Sequence, residues 1–165
     1  MDALNDAGFE VAGKSAVVFG TGGAAKAVVF MLNWLKAGTI RVAGRNPEKT
    51  TAIAERFKVQ GCSIEEIAHR PATADIVINA TSVSSPREAP ELETLIQKLQ
   101  LKGCRLVIDL NYGRRQNFWQ EMARWQGIHF MDGLPVLAFQ ARRTFALWTK
   151  VQVAPAEFLN ALREV

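Results

Sequence analysis

The sequence predicts an α/β fold in three layers, a doubly wound parallel sheet covered by helices on both faces. Three observations carry this. Short apolar runs alternate with longer amphipathic stretches along most of the 165 residues. Runs such as Ile76-Val77-Ile78 are apolar throughout, as in strands buried on both sides. The first run, Val17-Val18-Phe19, ends in Gly20-Thr21-Gly22-Gly23-Ala24-Ala25, a glycine turn that opens into a helical pattern.

The elements follow in order. Residues 1–14 hold a short helical remnant and a turn, Ala12-Gly13-Lys14, and residues 15–19 are the first strand. A helix is predicted over Gly22–Leu35, with Ala27, Val28, Phe30, Met31, Leu32 and Leu35 as its apolar face and Gly38 as its stop. Thr39–Ala43 is a second strand. Asn46 then caps a helix with Pro47 in its first turn, running through Ile53, Ala54 and Phe57. Val59–Thr73 carries no clear period and has room for a short strand or helix. Asp75–Ala80 reads as a strand, Ser84-Ser85-Pro86 as a break, Leu92–Leu101 as a helix, and Arg105–Leu110 as a strand. Gln116–Gln126 is a helix, Ile128–Met131 a short strand, and Gly133 precedes a long helix that ends near Thr149. Pro155 opens a final helix with Phe158, Leu159 and Leu162 on one side.

Composition narrows the function. Apolar residues make up 48% and charged residues 22%, which fits one soluble domain. No apolar run approaches a bilayer span, so no membrane partner is expected. The start, Met1-Asp2-Ala3-Leu4-Asn5-Asp6, lacks the basic and apolar regions of a secretion signal, and a cytoplasmic setting follows. Cys62 and Cys104 have no C-x-x-C spacing and read as half-buried thiols. The net charge of +4 is scattered, with doublets only at Arg114-Arg115 and Arg142-Arg143. This argues against a nucleic-acid groove and suits a small polyanion. No carboxylate cluster suggests a metal.

The glycine turn carries the first functional expectation. Gly20 frees the turn after the strand, Gly22 lets the backbone approach a pyrophosphate, and Ala25 keeps the helix near the sheet. The helix start presents free N–H groups and a positive dipole end to an anion. A Rossmann-type dinucleotide site is therefore predicted, with an unliganded tight βα turn as the plain alternative. At the tip of the second strand, Gly44-Arg45-Asn46-Pro47-Glu48-Lys49 has an arginine where an NAD site places an acid. Arg45 can grip a 2′-phosphate with two bonds, Lys49 adds a second charge, and Asn46 can donate from its side chain. NADP is the expected cofactor. A solvated turn arginine is the competing reading, and Glu48 argues mildly for NAD.

These stretches resemble the shikimate dehydrogenase family. Gly20–Val28 is similar to its glycine-rich turn, Gly44–Lys49 to its 2′-phosphate clamp, and Ile76–Ser82 to its strand-to-loop signature. Asp109-Leu110-Asn111-Tyr112 matches its Asp-x-x-Tyr stretch. Asp132-Gly133-Leu134, Leu137–Gln140 and Phe145–Trp148 match its late loop and helix. The resemblance implies that Gly20, Thr21, Gly22, Gly23 and Ala24 line the pyrophosphate and that Arg45, Asn46 and Lys49 hold the 2′-phosphate. It also implies that Thr81, Leu110 and Gly133 border the nicotinamide. Tyr112 and Gln140 would reach shikimate or 3-dehydroshikimate, although each also reads as an ordinary packed or surface polar residue. The family carries its proton-handling lysine and aspartate in a preceding substrate domain, so no catalytic residue is expected in this chain. Residues 1–14 would be an interdomain linker remnant and 15–150 the NADP-binding domain. Residues 151–165 would be a helix packing toward the absent domain, and Phe158, Leu159 or Leu162 left exposed would favour a homo-oligomer. Alone, the chain would bind cofactor with little turnover.

Two departures from the family's pattern stand out: Ser84-Ser85 for its Gly-Met, and Pro135-Val136 for its later Gly-Met. A quinate-type enzyme and a non-catalytic nucleotide-binding module are the alternatives. Another NADP enzyme, such as a methylene-tetrahydrofolate dehydrogenase or glutamyl-tRNA reductase, is disfavoured by Tyr112 and Gln140. His69 reads as a surface residue, and His129 as opposite in facing to Ile128 and Phe130. Trp34, Trp119, Trp125 and Trp148 fall at core-like helix positions.

Overall fold

In the computed structural model, each central strand divides its side chains between two cores, and this fixes the layering. The structure describes residues 1–163, Arg163 by its backbone only; the last two residues of the segment 151–165 lie outside the described residues. The strands are β1 (Ser15–Phe19), β2 (Thr39–Gly44), β3 (Gln60–Ser63), β5 (Ile76–Asn79), β7 (Leu106–Asp109) and β8 (His129–Met131). They form one six-stranded sheet in the order β3-β2-β1-β5-β7-β8, parallel throughout. Ala16, Val18, Ile76, Ile78, Leu106 and Ile108 face one core, and Val17, Phe19, Val77 and Val107 the other. Period-two alternation with both faces buried makes the runs wholly apolar.

The first core is closed by α1 (Asp2–Asp6), α2 (Gly23–Trp34), α3 (Pro47–Phe57) and α7 (Gly133–Thr149), through residues such as Leu4, Val29, Ile53 and Phe139. The second is closed by α4 (Ile64–Ala68), α5 (Pro90–Gln97) and α6 (Phe118–Trp125), through Ile64, Ile96 and Trp119. Trp119 is fully buried, edge-on to Phe19 with ring centroids 4.8 Å apart. The strand order reverses direction between β1 and β5, so their carboxyl ends open a crevice.

Several expectations need correction. Gly38 does not stop α2. Lys36 takes the left-handed turn at φ 57°, Ala37 N–H bonds to Leu32 O, and Lys36 N–H bonds to Asn33 O. Gly38 is instead where two loops touch, since a Cβ there would sit 2.5 Å from the Gly13 carbonyl oxygen. The predicted helix Leu92–Leu101 is α5, which begins earlier on Pro90 and ends at Gln97. Leu101 belongs to β6 (Leu101–Lys102), paired with β4 (Ala72–Thr73) in a small second sheet. Val59–Thr73 resolves into β3, α4 and β4. β3 is an edge strand of Gln, Gly, Cys and Ser, with too few apolar residues to show a period.

Among the tryptophans only Trp119 is core. Trp34 and Trp148 are exposed, and Trp125 is 93% exposed. α7 includes Gly133 as its first residue and ends at Thr149 as expected, and α8 (Pro155–Arg163) folds back onto it. Phe158 lies edge-on to Phe145 at 5.8 Å, Arg142 Nε donates to Val153 O, and Leu159 and Leu162 are half-buried. The exposed large apolar residues here are Phe145, Leu147, Trp148 and Val151 instead. Arg143 grips Asp2 with two bonds of 2.6 Å, which ties α7 to α1 and draws the Asp2 carboxyl below its usual range.

Candidate functional site: a cleft at the sheet's carboxyl edge

The crevice between β1 and β5 is a cleft of about 880 Å³. Gly20, Thr21, Gly22, Gly23, Ala24, Arg45, Asn46, Lys49 and Thr81 all line it, together with Ser82 and Ile64. Thus nine of the residues read from the sequence meet in one place.

Its glycines are there for different reasons. Gly20 sits at φ +116°, and a Cβ would lie 2.7 Å from the Ala80 carbonyl oxygen, so the fold itself demands it. Gly22 is an ordinary extended N-cap (φ −81°, ψ −172°), and nothing lies within 4 Å of where a Cβ would point. Gly23 is equally open. No side chain caps α2, so its first-turn N–H groups face the cleft without an intrahelical partner. The protein leaves a side-chain-sized space around those amides that neither conformation nor packing requires. This fits the pyrophosphate of a dinucleotide.

At the tip of β2, Arg45 and Lys49 are exposed and make no ion pair among the described residues. Asn46 caps α3 through Oδ1, which accepts the Lys49 N–H at 2.9 Å. Its cap role uses the oxygen and leaves the amide nitrogen to donate. Glu48 does not line the cleft.

Leu110 and Gly133 lie beside this cleft rather than in its lining, and they lie against each other. A Cβ on Gly133 would collide with the Leu110 carbonyl, and Gly133 N–H donates to Asn111 O at 2.9 Å. Tyr112 is 48% exposed in the loop after β7, and Gln140 is exposed on α7. Neither lines the cleft. Pro135 is the third residue of α7, where the helix has no partner for its N–H, so this departure disturbs no helical bond.

Sequence reasoning missed a buried polar network joining the ends of β5 and β7. Asn79 and Asp109 are register partners and fully buried. Asp109 Oδ1 accepts from Asn79 Nδ2 (2.8 Å), Asn111 N (3.0 Å) and Asn111 Nδ2 (3.0 Å), and Oδ2 accepts from Asn117 Nδ2 (2.7 Å). Asn79 Oδ1 in turn accepts from Thr81 N and Oγ1. The available signal was a polar residue closing each of two wholly apolar runs.

Other candidates carry no chemistry. Burial pushes Cys62 and Cys104 up to about 11, so both remain thiols. His69 is exposed, with Nδ1 2.8 Å from Glu65 O, and His129 is exposed while Ile128 and Phe130 pack inward. Among the described residues there is no cluster suited to a metal and no helix long and apolar enough to cross a membrane.

A family model described as shikimate / quinate 5-dehydrogenase matches residues 3–129. The chain is 31% identical over 164 residues to the NADP(+) shikimate dehydrogenase of Janthinobacterium sp. (strain Marseille), covering 99% of this chain and 59% of that protein. It is 32% identical to that of Moorella thermoacetica, covering 98% and 57%. The shikimate 5-dehydrogenase of Thermus thermophilus, solved in complex with NADP(H) and shikimate, matches with a TM-score of 0.81 at 28% identity. That match covers 99% of this chain and 59% of that one. The chain therefore spans about three-fifths of the length of these relatives, and on the match over residues 3–129 it belongs to the shikimate / quinate 5-dehydrogenase family.

Proposed function

We propose that this chain is the cofactor-binding part of an NADP-dependent dehydrogenase that interconverts 3-dehydroshikimate and shikimate. The observation that carries the reading is the pairing of two features in one cleft: an uncapped, open glycine turn, and an acid-free cationic tip on β2.

The amides of Gly22, Gly23 and Ala24 would hold the pyrophosphate. Arg45 and Lys49, with the free amide nitrogen of Asn46, would hold the 2′-phosphate. Both cationic side chains are exposed, so solvent screening lowers each charge-assisted contact to about 1–2 kcal/mol, together about 2–4 kcal/mol or roughly 30- to 1,000-fold in preference for NADP over NAD. Thr81, Leu110 and Gly133 would border the nicotinamide, which supplies or accepts the hydride when bound. Tyr112 and Gln140 would reach the ring acid.

No acid–base pair faces the cleft among its lining residues, so proton handling falls to the part of the relatives' length that this chain does not span. The exposed Leu147, Trp148 and Val151 offer that part an apolar face. Two free cysteines suit a cytoplasmic setting. Purified chain should bind 2′,5′-ADP and show almost no reduction of 3-dehydroshikimate by NADPH. Failure to bind 2′,5′-ADP refutes the cofactor assignment, and turnover at an ordinary enzymatic rate refutes the division of labour.

A further inference from the structure

The loop after β5 departs from the family pattern at Ser84-Ser85, and the structure gives those residues specific work. Ser84 is fully buried. Its Oγ accepts from Asn111 Nδ2 at 2.8 Å and Asn79 Nδ2 at 3.3 Å, and its carbonyl accepts Phe118 N–H at 2.9 Å. Its own N–H, and that of Ser85, donate to Glu88 Oε2 at 2.9 and 3.0 Å. Glu88 N–H returns a bond to Ser85 O at 3.0 Å. Ser85-Pro86-Arg87-Glu88 is thus a hydrogen-bonded turn, closed a second time by the Glu88 carboxylate reaching back to the Ser84 and Ser85 amides.

The other oxygen of Glu88 meets Arg114 Nη2 at 2.8 Å, and Arg114 stands in the loop after β7. A free surface pair is worth little because two long side chains must be held still. Here the glutamate is already held by two backbone amides, so the arginine meets a fixed acceptor. Those amides, with Arg114, also hold the Glu88 carboxyl well below its ordinary range, at about 2.

We propose that Glu88 and Arg114 form a latch between the loops after β5 and β7, and that this latch positions the nicotinamide-facing edge of the cleft. The connection runs through Asn111. Its Nδ2 donates to Ser84 Oγ and to Thr81 O (3.0 Å), while its carbonyl accepts Gly133 N–H. One asparagine therefore spans the latched loop, the cleft wall at Thr81 and the start of α7. Glu88 and Arg114 are positioning residues and touch no reacting atom. The latch stands on the geometry alone; its positioning role rests on the dinucleotide reading above.

The test has two arms. In the chain without ligand, amide hydrogen exchange is followed residue by residue. Glu88→Gln should speed exchange at Ser84 and Ser85 by about tenfold, and Arg114→Ala by severalfold. Unchanged exchange overturns the latch. In the second arm, NADPH and 2′,5′-ADP are titrated into wild type, Arg114→Ala and Arg114→Lys. Arg114→Ala should weaken NADPH about fivefold and lower the emission of the bound nicotinamide, while 2′,5′-ADP stays within about twofold. Arg114→Lys should restore most of both. Equal losses for the two ligands, or none for either, overturn the positioning role. Wild type that binds neither ligand while Ser84 and Ser85 stay protected refutes the dinucleotide reading, and the positioning role with it, but not the latch.

Discussion

Replacing Gly22 by serine should separate stability from binding, because the two depend on different properties of that residue. Gly22 has the extended backbone of an N-cap, and open space surrounds its missing side chain. Serine is among the best N-caps and strains nothing at φ −81°. Its hydroxyl would bond the N–H of Ala24 or Ala25, so stability should change by no more than about 0.5 kcal/mol. For a chain of this length that is within roughly 2 °C of Tm. The same hydroxyl takes amides that the pyrophosphate would use and fills the gap beside them. Losing one charge-assisted bond, at about 1.5–3 kcal/mol, should weaken NADP by roughly 10- to 150-fold. Thermal unfolding and calorimetric titration of the same sample read both quantities. Undiminished NADP affinity, or a fall in Tm of about 8 °C or more, would show that the space at Gly22 does not serve a ligand.

Other outcomes follow from the same geometry. Gly20→Ala should unfold more easily by about 2–3 kcal/mol in chemical denaturation, because it joins an unfavourable positive φ to a contact with Ala80 O. Trp119→Ala should lose about 3–5 kcal/mol in the same assay, whereas Trp125→Ala should stay within about 0.5 kcal/mol. The Glu88 carboxyl is depressed from its ordinary 4.5 to about 2, so its contribution to stability is complete above 4.5 and lost as pH falls toward 2. Acid titration of Tm should therefore be flatter in Glu88→Gln than in wild type over that window.

The sheet was legible because its central strands are buried on both sides. Ile76-Val77-Ile78 and Leu106-Val107-Ile108 serve two cores each and cannot be mistaken for amphipathic surface. Asn46-Pro47 was legible because cap and first-turn chemistry are local, and the Asn46–Lys49 bond is present as expected. Elements defined by distant partners were not. Leu101 looks helical from its neighbours, yet its N–H is taken by Gln126 Oε1 and its strand partner is Ala72. Lys36 took the left-handed position assigned to Gly38 because Gly38 was needed for contact with Gly13. The proposed phosphate end was legible because its residues fall in two short segments, Gly20–Ala24 and Arg45–Lys49. The bonds that join Thr81, Asn111 and Gly133 were not legible, because they run across three elements. The turn at Ser85–Glu88 falls on the break read at Ser84-Ser85-Pro86, whereas the pairing of Glu88 with Arg114 joins two separate loops and leaves no local signal.

On the proposed function, an arginine at the β2 tip, where an NAD site places an acid, selects the dinucleotide held in this cleft. Calorimetric titration of the chain with NADP and with NAD at one fixed salt concentration, repeated on Arg45→Ala, tests it most directly. NADP should bind at least about thirtyfold more tightly than NAD to wild type, with the gap closing to a few-fold in the variant. Equal affinities in wild type, or a preference for NAD, would rule out Arg45 as the group that selects NADP.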